Sequence, residues 1–91
     1  MPRFMVERTF PEGLHIPTNA DGSQVCMTVV GRNAENGVTW VHSYVSADKK
    51  KTFCIYDGPS EAAIREVAAK NGLPVDSVTA VSVLDPYFYR D

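Results

Sequence analysis

Three side chains in this 91-residue sequence combine the donor types of a soft metal centre: the carboxylate of Glu7, the imidazole of His42 and the thiol of Cys54. Oxygen, nitrogen and sulfur donors together suit Ni2+, Cu2+ or Zn2+ better than Mg2+ or Ca2+, which favour oxygen. None of the three lies in a spaced motif, since the chain has no H-x-x-x-H, C-x-x-C or EF-hand pattern. They can meet only through the fold. His15 is the other imidazole; it follows Pro11-Glu12-Gly13 in a loop, where solvation is the ordinary state and a second, surface metal site is the alternative. Trp40, Tyr44 and Tyr56 could line a pocket for a planar ligand, with His42 or Glu7 as general base. Cys54 beside His42 also has the make-up of a nucleophile–base pair, yet no orienting group or oxyanion donor accompanies it. Acyl transfer is not expected.

The elements that must position these residues are legible from pattern. Pro2 to Phe10 is rich in β-formers and stops at Pro11-Glu12-Gly13, a turn signal. From about Thr18 to Asn36 the period is helical, with Val25, Val29 and Val30 on one stripe, Cys26 beside them and Asn33-Ala34 continuing it. Asn36-Gly37 is a helix stop. Val38 to Val45 is the strongest strand, and Thr52 to Tyr56 is the next, joined to it by a polar hairpin. Ser60 is a natural N-cap for a second helix, whose inward stripe is Ala63, Ile64, Val67, Ala68 and Asn71. Val78 to Leu84 is the last strand, and the apolar tail Tyr87-Phe88-Tyr89 is expected to fold back on the domain or to cover a neighbour.

The order β-α-β-β-α-β predicts one α+β domain over residues 1–91, of the ferredoxin-like type. Right-handed crossovers put both helices on one face of an antiparallel sheet and leave the other face open. Alternation along each strand then assigns faces. With Phe4, Val6, Val41, Val45, Phe53, Ile55, Val81 and Val83 turned to the helices, the open face carries Met5, Glu7, Thr9, Trp40, His42, Tyr44, Thr52, Cys54, Tyr56 and Ser82. A three-residue hairpin loop, Ala47-Asp48-Lys49, sets His42 opposite Cys54, within reach of one cation. A plainer reading competes, and the lack of any spaced motif gives it the greater weight: His42 and Tyr44 make cross-strand hydrogen bonds while Cys54 fills space under Trp40. Cys26 reads as a small buried hydrophobe on the helix side, so a Cys26–Cys54 disulfide is not expected.

The totals exclude several function classes. A net charge of -2 and a pI near 5.6 disfavour nucleic acid and anionic membranes as partners. Lys49-Lys50-Lys51, the only basic run, reads as a solvated hairpin tip. No apolar run approaches the roughly 18–20 residues that span a bilayer. The acidic Glu7 and a second arginine, Arg8, come too early for a signal peptide, which points to the cytoplasm. With 44% hydrophobic and 22% charged residues the chain is an ordinary globular one, short enough that a homodimer is the default expectation.

Several blocks together resemble one family. They are Phe4-Met5-Val6-Glu7-Arg8-Thr9-Phe10-Pro11, the block Val38-Thr39-Trp40-Val41-His42-Ser43-Tyr44-Val45, and Lys51-Thr52-Phe53-Cys54-Ile55-Tyr56-Asp57 with Pro59-Ser60 after it. Asn71-Gly72-Leu73-Pro74 and Leu84-Asp85-Pro86-Tyr87-Phe88-Tyr89 match as well. The chain is similar, over nearly its whole length, to a small bacterial nickel-binding-protein-like family catalogued as a domain of unknown function. The resemblance implies a ferredoxin-like homodimer with nickel as its metal, for sequestration or detoxification, and does not itself assign the ligands. Two expectations are therefore carried forward. One is a dimeric, non-catalytic binder of nickel or another divalent transition metal through Glu7, His42, Cys54 and His15. The other is a small dimeric α+β-barrel-like enzyme or ligand-binding protein with an aromatic pocket on the open face.

Overall fold

In the computed structural model, which describes residues 2–14 and 20–86, six elements follow the expected order. They are β1 (Arg3–Thr9), α1 (Ala20–Glu35), β2 (Thr39–Val45), β3 (Lys51–Asp57), α2 (Glu61–Lys70) and β4 (Ser77–Val81). The strands form one antiparallel sheet in the order β2-β3-β1-β4, the ferredoxin-like arrangement.

The core lies between this sheet and the helices, around Phe4, Val6, Cys54, Tyr56, Ile64 and Val67. Local chemistry accounts for α2: the Ser60 hydroxyl accepts from the Ala63 N–H at 3.2 Å, Glu61 sits in the first turn and Lys70 in the last. Its buried residues are Ile64, Val67 and Ala68, the expected stripe. Helix α1 ends at Gly37, whose φ of +70 suits the left-handed position that closes a helix. The two helices are tied together where the Asn71 amide donates to Asn33 Oδ1 at 3.1 Å.

The faces of the sheet differ from the expected alternation. In β1 and β3 the buried parity is Phe4, Val6, Arg8 against Tyr56, Cys54, Thr52, which pair directly across the strands. Phe53 and Ile55 turn to the open face with Met5, Glu7 and Thr9. The hairpin explains part of the change. Ser46 N–H donates to the Lys51 carbonyl, so the loop has four residues, 47–50, with Lys49 at φ 62. Asp48 stabilises it by accepting from Ser46 Oγ at 2.7 Å and from the Lys50 N–H at 3.0 Å, which holds its carboxyl below the usual carboxylate range. Tyr44 then opposes Phe53, and His42 opposes Ile55.

A β-bulge between Trp40 and His42 completes the difference. Val41 is the extra residue, so Trp40 pairs with Tyr56 and turns to the helices, while two residues on His42 faces away from them. The Trp40 indole N–H donates across the bulge to Ser43 Oγ at 2.8 Å. In β4 the parity is likewise reversed: Val78 and Ala80 pair with Val6 and Phe4, whereas Val81 pairs with Arg3. The strand stops at Val81, and Ser82 and Val83 lie beyond it. The tail expectation for Tyr87, Phe88 and Tyr89 falls outside the described residues.

Candidate functional site

Glu7, His42 and Cys54 are not brought to one place. Cys54 is 8% exposed and belongs to the core beneath the helices, with its thiol 3.6 Å from Thr52 Oγ1. Glu7 and His42 are both on the opposite, open face. Ser43, not His42, is opposite Cys54. The cause is the four-residue hairpin, which shifts the count by one and pairs His42 with Ile55; the Val41 bulge lies beyond His42 and re-aims Trp40. The expectation that imidazole and thiol share a cation is thus corrected.

Glu7 and His42 are also well separated from each other. Glu7 aligns with Phe53 and Tyr44, His42 with Ile55 and Met5. They stand two strands apart, about 9–10 Å, and are offset by two residues along the strand, about 7 Å. Side chains that rise perpendicular to the sheet do not converge on one ion from such positions. The Glu7 carboxylate is instead engaged by Lys51 Nζ at 3.5 Å. His42 is exposed and meets Tyr44 edge-on, with ring centroids 5.1 Å apart at 85°. Among the described residues no group of three His, Cys, Asp or Glu side chains could hold a metal ion. One chain's described residues therefore do not fit a metal centre, and His15 lies outside them.

The aromatic expectation divides in the same way. Tyr44 is on the open face, but Trp40 and Tyr56 turn inward and line a cavity between α1 and the sheet. Its volume is about 510 Å3, within the range of small-molecule pockets. Val25, Cys26 and Val29 form its α1 wall, and Cys54 and Tyr56 its floor. The two cysteines are free, as expected, although both lie on the helix side of the sheet rather than on opposite sides.

Sequence reasoning passed over Arg8. The signal was present: if Phe4 and Val6 face the core, alternation sends Arg8 the same way. Arg8 is 2% exposed, lines the cavity, and stands over Tyr56 with its guanidinium carbon 5.7 Å from the ring centroid. Burial pushes the Tyr56 phenol up to about 12, with Cys54 adding to the shift and the Arg8 charge opposing it.

The comparisons with known proteins agree with this architecture. The crystal structure of SCO4226 from Streptomyces coelicolor A3(2) matches with a TM-score of 0.70 over 91% of this chain and 99% of that one. At 19% identity the likeness speaks for the fold. No curated protein matches the chain. Residues 4–81, which run from the second residue of β1 to the end of β4, match the family model described as nickel responsive protein SCO4226-like. The chain belongs to the SCO4226-like family of nickel-responsive proteins.

Proposed function

We propose that this protein is a small, non-catalytic, dimeric binder of Ni2+ or a similar divalent transition metal, with the metal held between two copies of the chain. What carries the reading is the match of residues 4–81 to the nickel-responsive family. Three further observations support the involvement of two copies. Among the described residues, a single chain offers no three-donor cluster. His42 stands exposed on the open face of an edge strand, free to meet a second chain. The same face carries Met5, Phe53 and Ile55, only half-buried, beside a Tyr44 that is 63% exposed. An apolar sheet surface of this kind gains by being covered. The donors in this reading are His42 and Glu7 from each copy, with His15 as the other imidazole available. Cys54, under the helices, has no part in it. The role proposed is sequestration of the cation in the cytoplasm; among the described residues no helix is long and apolar enough to cross a membrane.

Calorimetric titration of Ni2+ into metal-free protein tests the donors. Stoichiometric binding is expected, weakened at least about tenfold by His42→Ala, a loss of ~1.4 kcal/mol or more. Cys54→Ser should bind as the parent does, without a thiolate charge-transfer band in either. Loss of binding on replacing Cys54, with His42→Ala unaffected, would overturn the reading.

A further inference from the structure

We propose that the cavity between α1 and the sheet is a binding site for an aromatic monocarboxylate, its carboxylate held by Arg8 and its ring system lodged against Trp40 and Tyr56. Arg8 is 2% exposed, yet its Nε and Nη1 have no hydrogen-bond partner. None of the ion pairs among the described residues includes it. A guanidinium does not lose its charge by deprotonation, so a buried one calls for an anion or a full set of acceptors. The Tyr56 ring at 5.7 Å supplies a cation–π contact to its face. That contact leaves the Nε and Nη1 N–H groups without an acceptor, and a carboxylate oxygen is an acceptor that such charged donors favour.

The cavity supplies the rest of the ligand's description. A space of about 510 Å3 is far larger than the voids of a close-packed core and is the size of a small-molecule pocket. Its walls are mainly apolar, from Val25 and Val29 on α1 to Leu73 after α2, and two of its sheet residues are the aromatic Trp40 and Tyr56. Flat walls of this kind favour a planar body over a flexible chain. One cation in an apolar chamber selects one negative charge. Because the cavity opens on the side of the sheet opposite to His42 and Glu7, this site stands or falls independently of the metal reading.

The test uses the intact chain and three probes: 2-naphthoate, its uncharged methyl ester and decanoate. Calorimetry should give one naphthoate per chain and at least about tenfold weaker binding of the ester. The single tryptophan of the sequence provides a local reporter, and its indole N–H resonance should shift with naphthoate. Arg8→Met should bind acid and ester alike, with unfolding no easier than in the parent, because it removes a buried charge lacking a partner. Should that variant not fold, the acid-to-ester ratio in the parent protein decides alone. Equal binding of acid and ester, no binding of either at millimolar concentration, or naphthoate binding that leaves the indole signal unmoved would overturn the proposal. Decanoate binding more tightly than naphthoate would overturn the aromatic assignment.

Discussion

Tyr56 is the residue at which the facing of the sheet can be tested by titration. On the helix side it is buried beside Cys54 and Arg8, and its phenol is pushed from 10.0 up to about 12. The folded state therefore holds the phenolic proton more tightly than the unfolded chain does. The resulting stabilisation is complete below pH 10 and is lost as the pH rises from about 10 to about 12. A spectrophotometric titration of the parent against Tyr56→Phe should show one tyrosine absent near pH 12. A missing tyrosine near pH 10 would place the ring on the open face instead. The sequence held an ambiguity at this point. Strand β3 is apolar on both parities, with Phe53 and Ile55 on one and Cys54 and Tyr56 on the other. Larger aliphatic and aromatic character pointed to Phe53 and Ile55 as core, whereas cysteine is among the most buried residue types. Strand β1 carried the better signal, because Phe4 and Val6 pair across it with Tyr56 and Cys54.

At the scale of elements, what local chemistry dictates was readable and what depends on counting was not. The Ser60 cap, the α2 stripe and the Gly37 stop all follow from residue type at a position, and all appear where expected. Ser60→Ala should cost about 1 kcal/mol in chemical denaturation, since it leaves the Ala63 N–H without its acceptor. Unchanged stability would mean that the first turn of α2 is held by tertiary contacts alone. By contrast, the Val41 bulge and the fourth hairpin residue carry no composition of their own. Each is a one-residue insertion into a period of two, and one residue exchanges the faces of a strand. Asp48 was the available clue to the hairpin, as a short acidic side chain able to accept from the backbone two residues on. The pairing of His42 with Cys54 failed through the hairpin residue, and the inward placing of Trp40 came from the bulge; the choice of elements held.

For the whole molecule, element order was sufficient to give the ferredoxin-like sheet, because few topologies satisfy right-handed crossovers with six elements in this order. The family match over residues 4–81 accords with that architecture, and the family is described as nickel responsive. A small domain with a half-exposed apolar sheet face and no complete set of donors among one chain's described residues is the basis of the proposed account, in which metal and association are linked. A cation shared between copies binds the dimer and not the monomer, so it must strengthen self-association by mass action. Sedimentation equilibrium of metal-free and Ni2+-loaded protein measures that linkage directly. The account predicts the mass of two chains, with a dimer dissociation constant lowered at least about tenfold by Ni2+ and left unchanged by it in His42→Ala. A protein that binds Ni2+ fully while sedimenting as a single chain would contradict it.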